Sequence, residues 1–100
     1  MGHFSGTDGV GVLWFKQEDY PGYLAIVADP DNVPDTFEFW LQRTKEAIAF
    51  IEREGGKPVR VETTPDKLLM WCTIRGLRVD SSGRNAFASD PANWPASYKH

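Results

Sequence analysis

The chain has 100 residues, of which 41% are hydrophobic and 25% are charged, as in an ordinary globular domain. This composition excludes a disordered or fibrous chain, and no apolar run approaches the roughly 20 residues that cross a bilayer, so we predict no membrane span. The net charge of −3 is uneven, because residues 1–55 carry −6 and residues 56–84 carry +3. Two solvated faces of different charge explain this imbalance. The alternative is that the basic half binds an anionic ligand, or that the acidic half of one copy binds the basic half of a second copy.

We predict one domain over residues 10–88, preceded by a loose lead-in at residues 1–9. An irregular tail at residues 89–100 is expected to pack on the domain or on a partner. The single cysteine, Cys72, excludes an internal disulfide framework and predicts a reducing, cytoplasmic location. Residues 10–17 and 23–28 are rich in β-branched and aromatic side chains, and Pro21-Gly22 lies between them. This pattern predicts a β-hairpin.

A helix is predicted over residues 36–54, where apolar side chains recur at helical spacing. Asp35 is the expected N-cap, with Glu38 three residues later, and Gly55-Gly56 ends the helix. A strand is predicted next, over residues 58–63. Its alternation is typical of a half-buried strand, with Val59 and Val61 inward and Arg60 and Glu62 outward.

Two interpretations of residues 64–75 remain open. Thr64-Pro65-Asp66-Lys67 is either a tight turn before a strand at 68–75 or a helix N-cap with proline at the first helical position. The β-propensity of Trp71-Cys72-Thr73-Ile74 favours the strand. We further predict a turn at residues 80–83 and a short strand at 84–88.

These elements predict an α+β fold: a β-hairpin, one long helix, then two or three further strands. They would form a single antiparallel-rich sheet with the helix packed on one face. Three of the predicted strands are apolar on both sides, whereas one helix covers one face. The second face would carry Trp14, Tyr23 and Trp71. We expect it to be covered by the tail or by a second copy, or to line a ligand pocket.

Motifs for catalysis are scarce in this sequence. The two histidines, His3 and His100, lie at opposite chain ends, which disfavours Ser-His-Asp and Cys-His arrangements. One cysteine and no internal histidine exclude the usual structural zinc sites, and no phosphate-binding glycine loop is present. We therefore predict no catalytic residue, no metal site and no cofactor.

The candidate ligand or interface residues are three aromatic and three basic side chains. Arg75, Arg78 and Arg84 flank the predicted Ser-Ser-Gly turn, whose amides could help to hold an anion. The aromatic members are Trp14, Tyr23 and Trp71, which supply contact area.

The sequence thus favours a small non-catalytic binding or accessory protein. It would form a homodimer through the aromatic sheet face, which could also line a pocket for a small anionic or aromatic ligand. One alternative is a histidine-independent enzyme, with Glu62, Asp66 or Asp80 as acid/base and an arginine as anion anchor. A second is a single-stranded nucleic-acid binder, which the acidic balance disfavours.

Overall fold

The computed structural model describes residues 9–96. Its sheet consists of two parallel strands, β1 (Gly9–Trp14) and β2 (Lys57–Glu62), with Gly9 opposite Lys57 and Trp14 opposite Glu62. Parallel strands need a long crossover, and here two helices supply it. These are α1 (Tyr20–Ile26) and α2 (Phe37–Arg53), and β2 is followed by α3 (Pro65–Ile74) and α4 (Ser81–Ser89).

Each face of β1 is partly covered by a helix, and all six residues of the strand keep some exposure. On one face, α4 approaches so closely that a methyl group at Gly11 would overlap the carbonyl oxygen of Ala88. Trp94 Nε1 donates a hydrogen bond of 2.8 Å to that same oxygen. On the other face, the Trp14 ring meets Trp40 of α2 edge-on, with centroids 5.7 Å apart. This double cover explains why the strand is apolar on both sides.

One hydrophobic core joins the sheet to the helices. Val59 and Val61 are fully buried while Arg60 and Glu62 are exposed, which confirms the alternation predicted for β2. The other largest fully buried side chains are Phe15, Leu68 and Cys72.

The long helix predicted from the sequence is confirmed as α2. Its N-cap is Thr36 rather than Asp35, because Thr36 Oγ1 accepts a hydrogen bond of 3.2 Å from the Phe39 amide. At the other end, Gly55 has a φ of 88°, a left-handed conformation that glycine adopts without strain.

The predicted antiparallel-rich sheet and its hairpin are wrong. Among residues 9–96 the sheet is the parallel pair alone, and most of the second hairpin strand, predicted at 23–28, is helical as part of α1. Pro21 lies in the first turn of α1, where its missing N–H has no intrahelical partner to lose. Tyr20 and Tyr23 turn from this helix into the core.

The strands predicted at 68–75 and 84–88 are also wrong, because α3 and α4 occupy these positions. Thr64 Oγ1 accepts a hydrogen bond of 3.3 Å from the Lys67 amide, and Pro65 follows it at the start of α3. The N-cap interpretation left open above is therefore correct. Asp80 caps α4 by accepting a 2.9 Å hydrogen bond from the Gly83 amide.

The predicted lead-in lies outside the described residues except for Gly9, which begins β1. Of the predicted tail, residues 97–100 also lie outside them. Residues 89–96 include a 3-10 turn at Pro91–Asn93, and Trp94 packs against the core. In the described part of the chain, no helix is both long and apolar enough to cross a membrane.

Candidate functional site

A groove of about 730 Å³ lies along β1, and we call it the edge groove. Its floor is Gly11, Val12 and Leu13, and no residue of β2 lines it, so it lies at the edge of β1 that faces away from β2. The two walls are single faces of α2 and α4, and the connector between α1 and α2 closes the remaining side. The wall residues are Trp40, Arg43, Thr44, Ala47 and Ile51 from α2, with Ser81, Arg84, Asn85 and Ala88 from α4.

Helical spacing places these wall residues together, because positions three or four apart share one side of a helix. Small side chains lie on both walls, with Thr44 and Ala47 at the centre of the α2 wall and Ser81 and Ala88 at the two ends of the α4 wall. This leaves room above the strand edge for a ligand.

An ion pair fixes one wall of the groove to the connector. Arg84 donates to both carboxylate oxygens of Asp29, at 2.6 and 2.9 Å, and the two side chains are 14% and 16% exposed. Asn32 Nδ2 donates to the same carboxylate at 3.3 Å. The hydrogen bonds from Arg84 lower the pKa of Asp29 to about 2, although partial burial opposes this. The pair holds the guanidinium of Arg84 in one orientation beside the groove.

Tyr23 reaches the groove from the core side. Its ring is 2% exposed and packs on Phe15, with centroids 4.4 Å apart. Its hydroxyl makes no hydrogen bond within the described chain, unlike that of Tyr20, which donates to the Pro34 carbonyl at 2.6 Å. Burial raises the pKa of Tyr23 to about 12, against the opposing influence of the nearby Arg84. Tyr23 therefore presents a neutral hydroxyl that is free to bind a ligand.

Arg43 supplies a second cation on the opposite wall. It is exposed, and among residues 9–96 its guanidinium takes part in no hydrogen bond or ion pair. The groove thus combines one fixed guanidinium, one unpaired guanidinium and one unpartnered hydroxyl with apolar surface from Val33, Trp40 and Ile51.

The structure does not bring the predicted aromatic side chains onto one sheet face, since Tyr23 and Trp71 lie on helices. Trp14 lies on the sheet, with the Arg60 guanidinium 4.1 Å from its ring centroid. Trp71 lies on α3, where it contacts Phe87 edge-on and carries Arg75 at 4.0 Å from its ring.

The three predicted arginines have separate contacts in the structure. The Ser-Ser-Gly segment is the first turn of α4, and the Gly83 amide already donates a hydrogen bond to the Asp80 carboxylate. Arg75 lies over Trp71, Arg84 is paired with Asp29, and Arg78 is exposed before α4. Of the six predicted site residues, Trp71 and Arg75 contact each other, and Tyr23 and Arg84 both line the edge groove.

Sequence reasoning missed Arg43, Thr44 and Ala47, and it missed the strand edge. One signal was present, because glycines alternate at positions 9 and 11 at the start of a predicted strand. Glycine in a strand often marks a close approach of another backbone. Here that backbone is α4, which forms one wall of the groove.

Other chemistry has little support in the described part of the chain. No three His, Cys, Asp or Glu side chains there lie close enough to hold a metal ion. Of the carboxylates considered as acid/base, Glu62 and Asp66 are exposed and Asp80 is engaged as a helix cap. Cys72 is buried in the core, and this burial raises the pKa of its thiol.

Comparison with known proteins gives no relative for this chain. No family model matches it, and neither the curated proteins nor the solved structures contain a significant match.

Proposed function

We propose that this protein is a small non-catalytic binding module whose ligand occupies the edge groove. The observation that carries this proposal is the Tyr23 hydroxyl, which is attached to a ring that is 2% exposed and lacks a hydrogen-bond partner in the described chain. Within the described chain every fully buried side-chain nitrogen or oxygen has a hydrogen-bond partner, so the unpartnered Tyr23 hydroxyl is open to solvent although its ring is buried. A bound ligand that accepts this hydrogen bond would take the place of water there.

The ligand class follows from the walls of the groove. Binding sites of 300–1,000 Å³ that combine apolar surface with a few polar groups are typical for small molecules, and the edge groove falls in this range. The unpaired Arg43 favours a carboxylate, and Trp40, Val33 and Ile51 favour an apolar or aromatic body. We expect an anionic ligand with an apolar part.

The pKa values support binding rather than acid–base catalysis. General acids and bases work best with a pKa near the pH at which the enzyme operates. The pKa of Tyr23 is raised to about 12 and the pKa of Asp29 is lowered to about 2. At neutral pH the tyrosine therefore stays protonated and the aspartate stays ionised. Both groups are therefore suited to holding a ligand rather than exchanging protons with it.

Titration with sodium benzoate, followed by amide chemical shifts and calorimetry, tests the proposal. We expect shifts at groove residues and much weaker binding to Ala47→Trp, whose side chain obstructs the centre of the groove. Tyr23→Phe should weaken benzoate about tenfold while leaving stability nearly unchanged, because the hydroxyl that it removes has no hydrogen-bond partner within the described chain. Equal affinity of benzoate for the wild type and both variants would refute the proposal.

Arg43→Gln offers a matched comparison with Arg53→Gln. Both arginines lie on α2, but Arg53 lies outside the groove, near the ring of Phe50. We expect Arg43→Gln to weaken benzoate several-fold and Arg53→Gln to leave it unchanged. If both changes have the same small effect, the carboxylate contact is not specific to the groove.

Self-association is the second candidate function, and the outer face of α3 favours it. Met70 is 65% exposed and Ile74 is 73% exposed, and they adjoin Trp71. Glu62 and Lys67 border the same patch. Two copies related by a two-fold axis would place the acid of one against the base of the other. Sedimentation at several concentrations tests this: we expect Ile74→Lys to abolish a dimer, and a wild type that is monomeric throughout would refute it.

A further inference from the structure

One edge of β1 exposes main-chain groups to the edge groove. The Thr63 amide donates to the Trp14 carbonyl at 3.2 Å, which continues the parallel ladder. In such a ladder, alternate residues of a strand direct both main-chain groups to the same side. Val10, Val12 and Trp14 therefore face β2, whereas Gly11 and Leu13 direct their N–H and C=O groups away from it. Within the described chain, no other main-chain hydrogen bond involves these two residues.

The outer edge of β2 differs from the open edge of β1. Pro58 lies at a position that faces away from β1, so that edge lacks one N–H donor. Arg60 also faces outward along the main chain there, and its side chain is packed on Trp14. Proline and charged residues at a sheet edge oppose pairing with another strand. In β1 the corresponding edge positions hold glycine and leucine, and these residues do not oppose pairing with another strand.

The floor of the groove has the length of a short extended segment. It spans three residues, about 10 Å of extended chain. The walls at Ala47 and Ala88 carry small side chains on either side of that floor. In a second copy the same strand edge is flanked by the same two helices, so pairing edge to edge would bring α2 and α4 of one copy against those of the other. A lone extended segment carries no such helices.

We propose that the ligand of the edge groove is an extended peptide segment of a partner protein, which adds to the sheet as a third strand. Its main chain pairs with Gly11 and Leu13, and a carboxylate on the segment meets Arg43. This inference rests on the proposed function and names the ligand class for the same groove. It is strand addition, a recurring mode of peptide recognition in which main-chain hydrogen bonds provide much of the affinity.

A random octapeptide display library is the probe for this proposal. The wild-type protein serves for selection and Ala47→Trp for counter-selection, and the consensus peptide is then synthesised. A second version of it is N-methylated at alternate residues, which removes ladder donors without changing the protein. Amide hydrogen exchange of the protein, free and bound, is the readout.

In the free protein, the amides of Gly11 and Leu13 should exchange faster than those of Val12 and Trp14. On peptide binding we expect at least tenfold slower exchange at Gly11 and Leu13, and at least tenfold weaker binding of the N-methylated peptide. Acidic residues should be enriched in the selected sequences, and Arg43→Gln should remove that enrichment.

Three results would overturn strand addition, and benzoate separates them from failure of the proposed function. A peptide that binds without protecting Gly11 and Leu13, or equally well when N-methylated, occupies the groove in another way. No enrichment over Ala47→Trp, with benzoate still bound, refutes the peptide ligand and leaves the binding function standing. No enrichment and no benzoate binding refute both.

Discussion

Replacing Asp29 by asparagine tests whether the ion pair at the groove contributes to stability. The change keeps the size of the side chain but removes the charge that pairs with Arg84. Lowering the Asp29 pKa from 3.8 to about 2 corresponds to about 2 kcal/mol at most, at 1.36 kcal/mol per unit. The side chains of Arg84 and Asp29 are 14% and 16% exposed, so solvent weakens their attraction. We therefore expect Asp29→Asn to lower the free energy of unfolding by about 1 kcal/mol at pH 7.

The pH dependence of this loss has a defined sign. Because the folded-state pKa of Asp29 is lowered, the folded protein binds fewer protons than the unfolded chain between pH 4 and pH 2. The contribution of the pair is complete above about pH 5 and disappears as pH falls toward 2. The difference in unfolding free energy between wild type and Asp29→Asn should therefore shrink from pH 7 to pH 3.

Urea unfolding of the wild type, Asp29→Asn, Arg84→Gln and the double variant measures the coupling between the two side chains. We expect a coupling of about 1 kcal/mol at pH 7 and less at pH 3. A coupling below about 0.3 kcal/mol at pH 7, or one that is equal at both pH values, would show that the pair does not stabilise the fold as we reason.

Three further predictions concern packing, capping and the thiol. Gly11→Ala should lower the free energy of unfolding by at least about 2 kcal/mol in urea, because the added methyl group meets the rigid Ala88 carbonyl. Gly22→Ala is the control: its added methyl group would meet only the Pro65 ring at 3.2 Å, so stability should change by less than about 1 kcal/mol. Thr64→Ala should lose about 1 kcal/mol with the N-cap of α3, and no change in the unfolding midpoint would contradict this. A thiol reagent at pH 8 should label Cys72 at least about 100-fold more slowly in the folded than in the urea-unfolded protein, since burial raises the pKa of the thiol; rapid labelling of the folded protein would contradict this.

Sequence patterns predicted α2 and β2 because each has a single period. In α2, one apolar stripe faces the core, and in β2 two buried valines alternate with two exposed charged residues. The helices α1 and α3 lack such a contrast. The Tyr23–Ile26 part of α1 is apolar throughout, and α3 buries Leu68 and Cys72 while leaving Met70 and Ile74 exposed. A segment that is apolar all round fits a strand as well as a helix.

Local chemistry at the helix starts outweighed β-propensity. Thr64 and Asp80 each accept a hydrogen bond from the amide three residues later, and these caps favour the helices that follow them.

The edge groove could not be predicted from the sequence for a different reason. It joins Gly11, Arg43 and Arg84, which come from three separate segments and lie near one another only after α2 and α4 have packed on β1. Tyr23 was named as a site residue for a sheet face that does not exist, and Arg84 for an anion site at a Ser-Ser-Gly segment that is the first turn of α4.

The parallel pairing also determines the order in which this fold can assemble. Gly9 pairs with Lys57, so about 48 residues separate every pair of bonded positions in the sheet. The entropy of closing that loop must be overcome before the first interstrand hydrogen bond forms. Helix α2, with 17 residues, lies inside the loop and its main-chain hydrogen bonds are local, so it can form early, whereas the sheet forms late. Any folding intermediate should therefore be helical and should not yet contain the strand edge at the groove.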